Sequence, residues 1–471
     1  MAATCANIDV IVQDRIDNVP SCPHGPALLF ERYMKNGDSR KFFACSAFRD
    51  RKQCSFFRWM DDVKVGSNNA KGNTNFCAEG VDGKQFSYAG SRKRFLKFKK
   101  LPLSERSICC TCGLLLLGGE ATQHAERGHQ VKHKINRAAL RHPTTLFVPH
   151  EDNKTYAQYL FTDSTVDFIL STLENLKCTH ILCIGAPRIH EAIKLRQRQQ
   201  DTTFSSLLLD LDARYAQVYT RKQMCLYNMF NHHFFDQQGE GQFRSYLKEA
   251  GAGLVLVTDP PFGGMVEPLA ATFKKIEETW KAETKLDEPL PMLWFFPYFM
   301  EKRICDCIPS LTMLDYKVDY DNHSLFKSKD GKRKKGSPVR IFTNLAPTSL
   351  PLPTAEGYWF CEECQRYSAP ENQHCAKCQR CTSKDGTTYR HCDLCQKCVK
   401  LTRVHCDACG TCDLPSHMCG QQRGAGCHIC GAMDHKRRDC PQRHETAGRK
   451  SNRKRKGKQE HGKIKKKLRL G

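Results

Sequence analysis

The 471-residue chain is long enough for about three domains, and its formal net charge of +24 favours a polyanionic partner, nucleic acid before membrane. No apolar run reaches the roughly 18 residues of a transmembrane helix. The opening MAATCANIDV also lacks the basic-then-apolar form of a signal peptide, so neither a membrane nor a secreted protein is expected.

Twenty-eight cysteines, fifteen of them between 361 and 440, then read as clustered zinc ligands and not as disulfides. In the N-terminal stretch 15–62, Cys22, His24, Cys45 and Cys54 can make one tetrahedral site. Phe42, Phe43, Phe56, Phe57 and Trp59 alternate there with Arg40, Lys41, Arg49, Arg51, Lys52 and Arg58. Aromatics among cations suit single-stranded nucleic acid, with some rings spent on a small core and others exposed. The pattern resembles a GRF-type zinc finger, with C-x-[CH]-G at its start and C-x-F-F-x-W at its end. Residues 63–100, rich in Gly, Asn and Lys, read as a linker. Within 101–142, Cys109, Cys112, His124 and His129 have Cys2His2 spacing, and Cys110 and His133 are spare candidates. One such finger reads little sequence, so it is expected to be structural or a docking surface.

Only 143–350 has the apolar content for a large core. Strands are predicted at 180–184, 206–211, 254–258, 292–296, 311–318 and 339–344, with helices at 164–176, 188–198 and 268–282. Alternating β and α argues for a doubly wound sheet. The first strand runs into Gly185, where a glycine-rich cofactor loop would sit. The next ends on Asp210, where a ribose diol would be held. Asn228, in CLYNMFNHHFFD, is placed to meet an adenine edge. The run LVLVTDPPFGG stops a buried strand on Asp259 and stiffens the next two residues as Pro260 and Pro261. Alone, this is a capped proline turn. It also suits an exocyclic amine of a nucleobase, whose lone pair is delocalised into the ring. Asp259 and the Pro260 carbonyl would accept its protons, Pro261 would hold them stiffly, and Phe262 would stack on a flipped base.

Downstream, HCAKCQRC, HCDLCQKC and HCDACGTC form an internal repeat within 357–420. Interleaving uses every ligand. The first set is Cys361, Cys364, His374 and Cys381; the second is Cys375, Cys378, His391 and Cys398. The third is Cys392, Cys395, His405 and Cys412; the fourth is Cys406, Cys409, His417 and Cys419. Repeats this short need metal to fold. Within 425–442, Cys427, Cys430, His435 and Cys440 have the spacing of a single-strand-binding zinc knuckle. The basic stretch 443–471 reads as a disordered tail and a nuclear or nucleolar address.

Asp259-Pro260-Pro261-Phe262 resembles the [DNS]-P-P-[YFW] signature of amino-group methyltransferases that use S-adenosylmethionine (SAM). Gln158–Thr162, QYLFT, resembles a Q-[FY]-x-[YF]-[ST] segment of eukaryotic N6-adenine-type methyltransferases. The 361–419 repeat resembles the cysteine-rich part of DHHC palmitoyltransferases, but without membrane helices an acyl-transfer role is not expected. The whole set is similar to the CCHC-zinc-knuckle family of ribosomal RNA N6-adenosine methyltransferases. That resemblance implies an α/β, Rossmann-like SAM-methyltransferase domain flanked by small zinc-binding domains. It also implies SAM contacts at Gln158, Tyr159, Leu160, Phe161, Thr162 and Asp163, at Gly185, at Arg188 or His190, at Asp210, at Asn228, Met229 and Phe230, and at Asp259.

The cofactors expected are SAM and zinc. The partner expected is RNA, ribosomal RNA first, with ribosome-assembly or RNA-processing proteins besides. The place is the nucleus or nucleolus, with the cytoplasm in second place. A protein-lysine methyltransferase and a non-catalytic RNA-binding scaffold are the competing readings. Flanking modules are expected to select the substrate and to leave SAM binding to the central domain.

Overall fold

The computed structural model describes residues 8–12, 18–34, 38–48, 50–65, 87–150, 157–322, 337–419 and 440. One compact unit comprises 1–32 and 40–420, and a second comprises 33–39 and 421–471. The first unit is built on an eight-stranded sheet. In chain order its elements are α1 (Asp163–Asn175), β1 (His180–Ile184), α2 (Pro187–Gln199), β2 (Ser205–Asp210), β3 (Met224–Asn228), β4 (His233–Phe234), α3 (Gln237–Ala250), β5 (Leu254–Thr258), α4 (Val266–Thr284), β6 (Met292–Pro297), α5 (Glu301–Cys307), β7 (Thr312–Leu314) and β8 (Val339–Thr343).

Strand order is β4-β3-β2-β1-β5-β6-β8-β7. The five strands from β3 to β6 are parallel, and β8 is antiparallel to both β6 and β7. The last two predicted strands therefore form an antiparallel edge. Its first member covers only Thr312–Leu314 of the predicted 311–318.

Apolar runs form these strands because both faces of a parallel sheet are covered. Ile181 and Cys183 of β1 face a core shared with Val166, Ile169 and Leu173 of α1 and Ile189 and Ile193 of α2. Leu182 and Ile184 face the opposite core, with Phe243 and Leu247 of α3 and Phe273 and Trp280 of α4. The order reverses between β1 and β5, and a crevice opens outside their carboxyl ends, as such sheets require.

The predicted linker needs correction. Its last thirteen residues, Tyr88–Lys100, form a helix. Tyr88, Phe95 and Phe98 lie on one face of it, buried in the core that α1 and α2 share, and the Leu226 N–H donates to the Tyr88 hydroxyl at 2.6 Å. The basic and small residues that suggested a linker occupy the helix's other faces. Ile108, Leu115 and Ile135 of the adjoining Cys2His2 finger join the same core.

The cysteine-rich segment docks at the opposite edge. Asp315 accepts from the Ala369 N–H and from Asn372 Nδ2, each at 2.8 Å. Lys317 pairs with Glu371 at 2.7 Å. Among the described residues, no helix is long and apolar enough to cross a membrane.

Candidate active site and metal centres

The carboxyl ends of β1, β2, β3 and β5 deliver Gly185, Asp210, Asn228 and Asp259 to one cavity of about 420 Å³. The Asp259 N–H donates to the Ile184 carbonyl at 3.2 Å, which fixes the D-P-P turn beside β1 at the switch point. Gly185 has φ +60°, and a Cβ on it would lie 2.6 Å from Met229 Cε and 3.3 Å from the Asp259 carbonyl oxygen. One glycine thus lets three strand ends converge. SAM carries no phosphate, so the further glycines of a phosphate loop are not required.

Past Asp259, the Gly264 N–H donates to the Pro261 carbonyl at 2.7 Å, closing a tight turn that presents Phe262 to the cavity. Phe262 stacks on Tyr159, with ring centroids 5.1 Å apart and planes at 29°. Asp259 borders the cavity and is half-buried. Burial raises its carboxyl well above the usual carboxylate range, while the Tyr320 hydroxyl, donating to Oδ1 at 2.9 Å, works the other way. Tyr320 is itself held by stacking on Phe161, 5.1 Å between centroids.

At the second strand end, Asp210 is buried, and its Oδ1 accepts from the Asp212 N–H at 2.9 Å. Burial first, and then the neighbouring Asp212 charge, push its carboxyl up to about 7. Asp212 goes the other way. Burial would raise it, but Arg214, with Nη2 2.6 Å from Oδ2, more than offsets that and holds it below the usual range. Gln158 completes the lock, accepting from Arg214 Nη2 at 2.8 Å and donating to Asp212 at 2.9 Å. An ionisable acid at the carboxyl end of β2 and an apolar, partly aromatic remainder offer the acceptor that a ribose diol needs and the surface that an adenine ring needs.

Of the residues expected at SAM, Gln158, Tyr159, Leu160, Gly185, Asp210, Asn228, Met229, Phe230 and Asp259 line the cavity. Others in that set do a different job. Phe161 is core, 1% exposed. Thr162 caps α1, accepting from the Thr165 N–H at 3.3 Å. Asp163 pairs with Arg188 at 2.7 Å, and Arg188 also reaches Glu191 at 3.0 Å. His190 is wholly buried against Ser206, Nδ1 to Oγ 3.0 Å, and burial lowers its basicity. These last four stiffen the scaffold around α1 and α2. The amide of Asn228, expected at an adenine edge, is committed to the GRF finger: Nδ2 donates to the His24 carbonyl and to Ser46 Oγ, both at 2.8 Å.

This finger and its neighbour also reach the cavity. Ala47 and Phe48 of the GRF finger, and Thr111 and Cys112 of the Cys2His2 finger, line the cavity together with the strand ends. The second finger docks through Gln217, which accepts from the Leu115 N–H at 2.9 Å and donates to the Gly113 carbonyl at 2.8 Å. Sequence reasoning missed Tyr320, Arg214, Gln217 and these finger residues. The D-x-R spacing of Asp212 and Arg214 was a readable signal for one of them.

The structure gathers the Cys/His ligands into compact sets. Cys22, His24, Cys45 and Cys54 form one, and Cys109, Cys112, His124 and His129 another, each with donor atoms within 4.8 Å of one another. Cys110 stays outside the second set, and His133 bonds to Ser107 at 2.9 Å. The first three interleaved sets of the repeat are assembled as the spacing suggested. In the fourth, Cys406 lies 3.5 Å from Cys419, and His417 Nε2 is 3.4 Å from Cys409. Sulfur pairs such as Cys395 and Cys412 stand 3.7 Å apart, close to the edge of a tetrahedron with metal–sulfur bonds of about 2.3 Å. All described cysteines are free thiols, as zinc ligation requires. In the four sets of the repeat, the turns Cys361–Cys364, Cys375–Cys378, Cys392–Cys395 and Cys406–Cys409 close on the left-handed residues Gln365, Gln379, Gln396 and Gly410. The three glutamines donate to the carbonyls of Glu362, Ala376 and Asp393, which offsets part of the strain of φ > 0. His417 turns its Nδ1 to the Leu414 carbonyl at 2.8 Å, leaving Nε2 for metal. Of the knuckle, Cys427, Cys430 and His435 lie outside the described residues, as does the basic tail, while Cys440 is buried.

On the GRF sheet, Phe42 and Phe43 are buried, and Phe57 and Trp59 are half-buried. Arg40 lies over Trp59 at 4.0 Å and Arg51 over Phe57 at 4.3 Å.

Comparison with known proteins agrees with this geometry. The family model for a probable N6-adenine methyltransferase matches residues 152–329, and that for a GRF zinc finger matches 20–63. The chain is 48% identical over 431 residues to the human rRNA N(6)-adenosine-methyltransferase ZCCHC4, covering 90% of this chain and 82% of that protein. It is 50% identical to the Mus musculus protein of that name over 432 residues, with the same coverages. To the Xenopus tropicalis one it is 48% identical over 450 residues, 94% of this chain and 91% of that protein. Similar to these proteins along most of its length, the chain belongs to the rRNA N(6)-adenosine-methyltransferase family.

Proposed function

We propose that this protein transfers a methyl group from SAM to N6 of an adenosine in ribosomal RNA, the large-subunit RNA being the substrate. The carrying observation is Asp259-Pro260-Pro261-Phe262 held at the switch point beside Asp210. SAM supplies an electrophilic methyl group on a sulfonium. The chain's residues do the rest. Asp210 accepts from the ribose hydroxyls. Phe262 stacks on the adenine, for which Tyr159 must give way or become the second face. The hydrogen bond from Tyr320 occupies Asp259 Oδ1, so Oδ2 accepts one N6 proton and the Pro260 carbonyl the other. Both acceptors localise the nitrogen lone pair toward the methyl group, and they are preorganised by the turn. One N6 proton leaves on transfer, and a carboxylate of raised basicity is the base within reach.

Zinc in the Cys/His sets holds modules too small to fold on apolar burial. The Arg-capped aromatics of the GRF sheet take single-stranded RNA, and the basic C-terminal region takes phosphates. That tail also directs the protein to the nucleolus, where ribosome-assembly proteins are its neighbours. The test is Asp259→Ala, assayed on ribosomal RNA with labelled SAM. A loss of roughly 10²–10³ in rate is expected with zinc content unchanged. Wild-type turnover would refute the mechanism.

A further inference from the structure

We infer that the GRF finger is a wall of the cofactor site, with the Phe48 ring and Ala47 packed against the adenosyl half of SAM. The inference rests on reading the cavity as the SAM site and goes beyond it by giving a zinc finger a share in cofactor binding.

Three observations carry it. First, Ala47 and Phe48 line the same cavity as Asp210 and Leu211. Leu211, directly after the ribose acid, packs on the finger's small core of Cys22, Cys45 and Ala47, as does Phe48. The finger's apolar surface therefore begins where the diol would be held, which is where an adenine ring must go.

Second, Phe48 is set by the metal site. The Phe48 N–H donates to Cys45 Sγ at 3.4 Å, and its ring meets the His24 ring edge-on, centroids 4.5 Å apart at 80°. Both partners belong to the Cys22, His24, Cys45 and Cys54 set. The ring's position thus follows from ligation.

Third, the finger is tied to the strand end beside the cavity. Asn228 and Asn231 both donate to Ser46 Oγ, at 2.8 and 2.9 Å, and Asn231 donates to the Pro26 carbonyl at 2.8 Å. Gly25, at φ +93°, would place a Cβ 2.5 Å from His233 Cδ2, so the finger's backbone meets the His233 ring without room for a side chain. Held this way, the Phe48 ring adds an aromatic face on the finger's side of the cavity, to which the β3 end contributes Tyr227 and Phe230.

The experiment measures SAM affinity by calorimetry and zinc by elemental analysis on the full-length protein. Phe48→Ala should keep the wild-type zinc content and weaken SAM binding about tenfold, the worth of one stacked base at the lower end of its range. Phe48→Leu retains the apolar volume and should weaken it less. Should Phe48→Ala lose zinc, Phe48→Leu is decisive, because it preserves the packing. Wild-type SAM affinity in a zinc-replete Phe48 variant would overturn the inference. Asp210→Ala separates the two levels. If it too binds SAM normally, the cavity is not the cofactor site; if it fails to bind while Phe48→Ala binds as wild type, only the wall is refuted.

Discussion

Asp259 has to be an acceptor at the pH where the protein works, although burial favours its neutral form. The Tyr320 hydroxyl, 2.9 Å from Oδ1, is the interaction that favours the carboxylate. Removing it in Tyr320→Phe should raise the Asp259 carboxyl further. The acid limb of the pH–rate profile should then move to higher pH and the rate near neutrality should fall about tenfold, with SAM affinity unchanged. A profile superimposable on wild type would show that the hydrogen bond is only structural. Asp210 gives a second pH dependence. Its carboxyl is pushed up to about 7 by burial and by Asp212. Ribose hydroxyls donate to the ionised form, so binding releases a proton and SAM affinity should strengthen as pH rises through about 7. Asp210→Asn should bind more weakly and with a flat pH response. Equal pH dependence in both proteins would assign the titration to another group.

The parallel strands were legible because both of their faces are buried: 180–184 and 254–258 were delimited as the structure has them. The strand Met224–Asn228 was not, since CLYN mixes a polar residue and a tyrosine into a short run and was read for its cofactor chemistry alone. The helix Tyr88–Lys100 was lost among lysines and arginines, because only three widely spaced aromatics mark its buried face. The Asp259 turn, the ribose acid and the interleaved ligand sets could be written from local spacing. Tyr320, 61 residues from Asp259, could not, because that contact exists only once the chain beyond β7 pairs back on the segment before α1 at Phe161. Docking between elements is equally invisible in local sequence. Gln217 is 5% exposed and satisfies the Leu115 N–H and the Gly113 carbonyl of the Cys2His2 finger. Gln217→Ala would leave both backbone groups buried and unpaired, a destabilisation of about 1–3 kcal/mol. Urea unfolding should show the lower midpoint, and an unchanged midpoint would mean that water replaces the amide.

In the larger unit, the GRF and Cys2His2 fingers and the sheet are not separable parts. Two fingers close the cavity that the strand ends open, and the helix Tyr88–Lys100 shares a core with the sheet. The sheet edge at Asp315 anchors the start of the cysteine-rich arm. On the proposed reading, the finger surfaces beside the cavity take single-stranded RNA, and the net charge of +24 favours a long polyanion. That reading recognises the base inside the cavity and leaves its selection among many adenosines to the modules around it. The most direct measurement is to incubate the purified protein and its Asp259→Ala variant with labelled SAM and intact ribosomal RNA together with ribosomal proteins, then to digest and identify the methylated product. The account predicts label in N6-methyladenosine at one position of the large-subunit RNA, and none above background with the variant. Label recovered on a lysine of a ribosomal protein, with the RNA unmodified, would contradict it.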